Sequence, residues 1–313
     1  MIKAVIDIGS NSIKMRIANV VKGRVNVLRD ETEVVRLGRR MTDAGVLSYE
    51  SIKNSCEAVA KMVTRARKSG AEIFIVGTMA LRTAKNSEAF LNMVRDKTGL
   101  SVHVFSGEDE AKYSWLGAVD GFNISGDVIM FDSGGGSTEF VLGSNGDVDK
   151  IISVPVGAVN LSERYFYDHY NPIKKTACDE AIEYVKNLLL ENHIDDFNTN
   201  SPQIIGVGGG VVTMASVKFA CENFVPSKLH GSILTLKDVT RQINMYSSLT
   251  LKERENVIGL PATRADIILG SACIIFTALK LFNARSCIVS INGLRHGLLL
   301  SDNKNRGAKL WNK

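Results

Sequence analysis

Val5-Ile6-Asp7-Ile8-Gly9-Ser10-Asn11-Ser12 and Met130-Phe131-Asp132-Ser133-Gly134-Gly135-Gly136-Ser137-Thr138-Glu139 are two versions of one pattern. In each, an apolar run delivers an Asp to a strand end and a tight Gly/Ser turn follows. A second strand then leaves, Ile13 to Val21 in the first copy and Phe140 to Gly143 in the second. Glycines let backbone N–H groups approach an anion closely, and Ser and Asn side chains add hydrogen bonds. Paired Asp residues suit a metal or a water held against that anion. One such turn is a weak signal. Two, each with its own Asp, point to a duplicated fold that grips a phosphate chain from both sides.

The 313 residues suit two domains, because one core rarely grows beyond about 250–300 residues. Hydrophobic residues make up 45% and charged residues 23%, which fits a soluble globular chain. Five scattered cysteines (Cys56, Cys178, Cys221, Cys273, Cys287) form no CxxC pair. That argues for a reducing cytoplasm and against a disulfide framework or zinc site. Met1-Ile2-Lys3-Ala4 enters a strand at once, so no signal peptide is expected. No apolar run reaches membrane length, and neither membrane nor nucleic acid is an expected partner. The net charge of +5 suits a polyanionic ligand and an ordinary lysine-rich surface equally.

Working outward from the turns, strands are predicted at 3–8, 12–21 and 24–35, with Lys22-Gly23 as the second connection. Helical spacing through Ile52, Cys56, Val59, Ala60, Val63 and Ala66 predicts a helix over 47–68. A strand at 73–76, a helix at 86–98, a strand at 102–105 and a helix at 107–120 follow. The second half repeats the plan: strands near 127–131, 138–143 and 147–155, with Asn145-Gly146 as the hairpin turn. Then come a helix at 174–192, a strand at 204–207, helices at 211–222, 236–249 and 264–282, a strand at 287–290, and a last helix from 293. The apolar stripe of 264–282 reads as core or as an interface, so a homodimer is carried as an option. The outline is α/β: two ribonuclease H-like domains, as in the actin and sugar-kinase superfamily, with the ligand in the interdomain cleft. The domains are placed at 1–123 and 124–299, with a C-terminal helix of about 300–313 packing back on the first.

Further motifs follow strands, where α/β sheets collect ligands. They are Gly77-Thr78-Met79-Ala80-Leu81-Arg82, Ser106-Gly107-Glu108-Asp109-Glu110-Ala111, Gly206-Val207-Gly208-Gly209-Gly210 and Ser290-Ile291-Asn292-Gly293-Leu294-Arg295-His296-Gly297-Leu298. As a set, with the two turns, they resemble the exopolyphosphatase/guanosine pentaphosphate phosphohydrolase (Ppx/GppA) family, of the short two-domain type. The chain departs from the family pattern at Ser133, usually aliphatic, and at Gly210, usually Thr.

The resemblance implies a hydrolase that removes the terminal phosphate of inorganic polyphosphate. The alternatives are a guanosine pentaphosphate 5′-phosphohydrolase and a non-catalytic guanosine tetraphosphate sensor. An actin-like phosphotransferase is a further rival. The resemblance casts Glu110 as the general base and Arg82 as a phosphate ligand. Ser10, Asn11, Ser12, Gly134, Gly135, Gly136, Ser137, Thr138, Gly208 and Gly209 are phosphate contacts. Asp132 and Glu139 are carboxylates for Mg²⁺, with Mn²⁺ as substitute. Asp7 either joins them or satisfies turn N–H groups. Ser106 to Asp109 reads separately as a helix capping box. Arg295 reads as a structural salt bridge or a substrate contact.

Overall fold

The computed structural model describes all residues except 40, 42–44, 145–146, 169, 198, 200–201 and 302–313. The chain divides into two units: Met1–Gly117 with the segment that begins at Asn292, and Ala118–Ile291.

In the first unit, β1 (Ile2–Ile8) pairs antiparallel with β2 (Ser12–Val21), which pairs with β3 (Arg24–Val34). Lys22 and Gly23 take positive φ (48° and 78°), as a tight hairpin of this handedness requires. β4 (Glu72–Gly77) and β5 (His103–Val104) add in parallel, giving the order β3-β2-β1-β4-β5. Helix α1 (Tyr49–Lys68) buries Ile52, Cys56, Val59, Val63 and Ala66 of the predicted stripe and leaves Ala60 half-buried, and Ser48 caps it by accepting from the Ser51 N–H. It shares one face of the sheet with α3 (Ser87–Thr98), over Ile6, Ile8 and Ile13. Phe105, which precedes α4 (Gly107–Ala118), packs on the opposite face with α12 (Leu294–Ser301), over Val5, Ala18 and Phe74. The short α2 (Met79–Thr83) follows β4.

The second unit repeats the plan with β6 (Asp127–Ser133), β7 (Thr138–Ser144), β8 (Asp147–Val154), β9 (Gln203–Val207) and β11 (Ser286–Val289). An added β10 (Ile233–Thr235) makes the order β10-β11-β9-β6-β7-β8. Its core is built on the apolar α11 (Ile268–Leu281), with α6 (Lys175–Glu191), α7 (Gly209–Lys218) and α9 (Leu236–Ser248) around it. The predicted stripe of 264–282 is therefore core. Each unit is a ribonuclease H-like sheet, and two in one chain is the actin/sugar-kinase plan.

Three differences from the expectations have physical reasons. The last helix packs Leu294, Leu298 and Leu299 on the first sheet, so the chain changes unit at 117/118 and 291/292 rather than at 123 and 299. Periodicity shows that a face is buried and not which sheet buries it. Helix α7 begins at Gly209, two residues early, and α11 at Ile268, after a 3₁₀ turn at Ala262–Arg264. The short helices α2, α5 (Ala158–Tyr165), α8 (Pro226–Leu229) and α10 (Leu251–Arg254) were not foreseen, being too short to show a period. The Asn145-Gly146 turn and residues 302–313 lie outside the described residues. Among the described residues no helix is long and apolar enough to cross a membrane.

Candidate active site

The two glycine turns have the same construction. Ile8 pairs with Ile13 and Ser133 with Thr138, so four residues close each loop. Gly9 N–H donates to Ser12 O at 3.1 Å, and Gly134 N–H donates to Ser137 O at 2.9 Å. A neighbouring segment takes the turn carbonyls in both units. Gly38 N–H donates to Ser10 O, and Val35 and Arg36 N–H to Asn11 O. In the second unit Ala158 and Val159, opening α5, donate to Gly134 O and Gly135 O, and Asn160 Nδ2 donates to Gly136 O at 2.9 Å. The N–H groups of Ser10, Asn11, Gly135 and Gly136 find no partner among the described residues. Asn11 Nδ2 and Ser133 Oγ are also buried without one. Orphaned buried donors are costly, and an anion seated on such a nest satisfies them.

Cross-strand register sets the charge beside each turn. Asp132 lies opposite Glu139 in the second unit, and Asp7 lies opposite Lys14 in the first. Glu139 is 1% exposed and accepts from Ser153 Oγ at 2.9 Å. Directly opposed side chains stand about 4.5–5.5 Å apart at Cβ, so two carboxylates there repel unless a cation joins them. The all-oxygen donors suit Mg²⁺, which needs only one or two carboxylates when phosphate and water fill its other positions. Among the described residues no cluster of three or more His, Cys, Asp or Glu is placed to hold a metal, so a carboxylate pair is the richest set found there. Asp7 sits among cations instead. Burial pushes its carboxyl up, and Lys14 and Arg295 pull partly against that.

Glu110 and Arg82 come together. Arg82 Nη1 donates to Glu110 Oε2 at 3.1 Å and to Phe105 O at 2.9 Å. The predicted cap at Ser106 and Asp109 is half a capping box: Asp109 N–H donates to Ser106 Oγ at 3.0 Å, and it is that hydroxyl, not the Ser106 N–H, that donates to Asp109 Oδ2. Asp109 is thus committed to the helix end, and Glu110 points to the guanidinium.

At the Gly206–Gly210 loop, Gly208 has φ +99°, and a Cβ there would overlap Ser133 O and lie 3.1 Å from Asp132 Oδ1. Only glycine allows this approach to the carboxylate. A Cβ on Gly209 would overlap the guanidinium of Arg264, a residue the sequence reading missed. Arg264 is held at the N-terminus of α7, where the helix dipole opposes a cation and favours an anion. Burial lowers its pKa and Asp266 opposes the shift. The unusual Gly210 has a packing reason: a Cβ there would be 2.6 Å from Ser271 Cβ.

Comparison with known proteins gives the family. The family model described as the Ppx/GppA phosphatase family matches residues 16–306. The chain belongs to the Ppx/GppA family. It is 30% identical, over 97% of its length, to a bifunctional 3-dehydroquinate synthase/phosphatase of Fusobacterium nucleatum, and covers 47% of that protein. Against the guanosine-5′-triphosphate,3′-diphosphate pyrophosphatase of Photobacterium profundum it is 30% identical, with 95% and 58% covered. The chain thus spans about half the length of these two relatives. It is 26% identical to exopolyphosphatase 2 of Mycobacterium tuberculosis, with 95% of each chain covered. The crystal structure of the Aquifex aeolicus Ppx/GppA family member superposes with TM-score 0.82 at 29% identity, over 98% of this chain and 99% of that one.

Proposed function

We propose that the chain is an exopolyphosphatase that releases orthophosphate from the end of inorganic polyphosphate by direct attack of water. The observation that carries this reading is Glu110, separated from the helix cap and paired with Arg82. A base beside a phosphate-binding fork is what hydrolysis needs and a passive sensor does not. Glu110 takes the proton from the attacking water. Arg82 orients the base and, as a planar fork, receives a phosphoryl oxygen. Phosphate donors are proposed unit by unit: the turn amides of Ser10–Ser12 in the first, and those of Gly134–Thr138, with Gly208, Gly209 and Arg264, in the second. Asp132 and Glu139 would hold Mg²⁺ or Mn²⁺, which would supply charge neutralisation to bound phosphate. Asp7, next to Lys14 and Arg295, is the weakest candidate for a metal ligand.

Guanosine pentaphosphate is the second reading, supported by the relatives that act as guanosine-5′-triphosphate,3′-diphosphate pyrophosphatases. Phosphate release from long polyphosphate, tripolyphosphate, guanosine pentaphosphate and ATP decides between them. Polyphosphate is expected to turn over best, and Glu110→Gln to lower turnover by ~10²–10⁴ with substrate still bound. Normal turnover in that variant removes the base assignment. Cleavage of guanosine pentaphosphate with polyphosphate neither cleaved nor inhibitory removes the substrate assignment.

A further inference from the structure

Two side chains of the C-terminal motif bond one buried arginine directly, and a third reaches it through Asp30. Arg16, on β2, is 4% exposed. Its Nε and Nη2 donate to Asp30 Oδ2 at 3.0 and 2.6 Å, and Nη1 donates to Asn292 Oδ1 at 2.9 Å. The same Nη1 lies 3.2 Å from His296 Nδ1. Arginine only donates, so Nδ1 accepts and His296 is the neutral tautomer with its proton on Nε2. Arg295 Nη1 closes the knot by donating to Asp30 Oδ1. Such a knot resists displacement, because freeing either partner leaves a buried charge.

The helix so fixed meets the helix of the base in close backbone contact. A Cβ on Gly297 would overlap Tyr113 O, and one on Gly117 would overlap Gly293 O and lie 2.8 Å from Gly297 N. Tyr113 and Gly117 both belong to α4, whose first turn carries Glu110. Nothing larger than hydrogen fits at either crossing point. Leu294, Leu298 and Leu299 meanwhile fill the sheet face beside Phe105, whose carbonyl accepts from Arg82.

We infer that helix Leu294–Ser301 is a positioning element for Glu110, with Arg16, His296 and Gly297 as the residues that set it. The inference rests on the proposed role of Glu110. A base displaced by about 1 Å loses up to ~10²-fold in rate without losing substrate affinity, since the phosphate contacts lie elsewhere.

Two variants and two readouts test it. Gly297→Ala should lower kcat ~10–100-fold with KM within about twofold, and should speed amide hydrogen exchange over residues 107–118 relative to α1. His296→Leu should do the same more mildly. His296→Asn, whose Oδ1 can replace the Nδ1 acceptor, should restore both. Wild-type kcat in Gly297→Ala and His296→Leu overturns the inference, as does unchanged exchange over 107–118. Equal loss in His296→Asn and His296→Leu also overturns it. Glu110→Gln is run in parallel. If it stays active while exchange responds as expected, the base assignment fails and the helix coupling stands.

Discussion

Lys14 holds in the first unit the register position that Glu139 holds in the second. Both lie directly across an antiparallel pair from the Asp that precedes the glycine turn. The duplicated scaffold therefore carries opposite charges at equivalent points. Asp7 is partly compensated by Lys14 and Arg295, whereas Asp132 faces a second carboxylate, the pair proposed to hold the cation. Chelation is expected to abolish phosphate release, with recovery on Mg²⁺ or Mn²⁺. Glu139→Gln should raise the Mg²⁺ concentration for half-activation at least ~10-fold, since one of two carboxylate ligands is lost. Asp7→Asn should leave that midpoint in place. Titration of activity against Mg²⁺ checks both, and an equal shift in the two variants would sink the asymmetry.

Asp7 also makes a stability prediction. Burial raises its folded-state pKa above the unfolded value, despite Lys14 and Arg295. The folded state thus binds the proton more tightly, so this group's contribution is fully present below the unfolded value, about 3.9, and is lost as pH rises through the folded one. At neutral pH, where the unfolded carboxyl is ionised, burying this group costs stability. Asp7→Asn should raise Tm at pH 7 by a few degrees, with the gain shrinking as pH falls towards 4. Thermal unfolding at pH 4 and pH 7 measures this, and a pH-independent difference refutes it.

Gly210 and Ser271 form a volume pair. Threonine at 210 would set its Cβ 2.6 Å from Ser271 Cβ and 2.7 Å from Ser271 Oγ. Ser271 is 2% exposed on α11, inside the core, and cannot swing clear. Gly210→Thr alone should cost about 1–3 kcal/mol from overpacking. Adding Ser271→Gly should recover most of that, a coupling that a double-mutant cycle reads directly. Additive effects would mean that the two sites do not share the space.

The turns and strands were legible because their signals are local: Asp, glycines and hydroxyls in a row, flanked by apolar alternation. Glu110 could be told from Asp109 by its place relative to Ser106, and the hydrogen bonds follow that division. What escaped depends on contacts distant in sequence. Arg264 reaches its site only because α11 returns beside α7. Ser153 becomes the partner of Glu139 through strand register. Arg16 reads as one more basic residue on a strand until Asn292 and His296, some 280 positions on, close over it. The carbonyl ties from Ala158 and Val159 belong to a helix of eight residues, too short for its period to show.

The Arg16–Asp30–Arg295 knot predicts an acid limit. Burial raises the Asp30 carboxyl, but Arg295 and Arg16, through charge and hydrogen bonds, outweigh it and hold the pKa below the usual carboxylate value. A depressed folded-state pKa contributes stability that is present above the unfolded value, about 3.9, and lost as pH falls through the folded one. Asp30→Asn should therefore destabilise the protein at pH 7, by about 3 kcal/mol given that Arg16 is left buried without its carboxylate. The penalty should narrow below pH 4, where wild type loses the same charge. Denaturant unfolding of both proteins at pH 7 and pH 3 gives the comparison. A penalty that stays constant across that range would show that the carboxylate's charge is not what holds the knot.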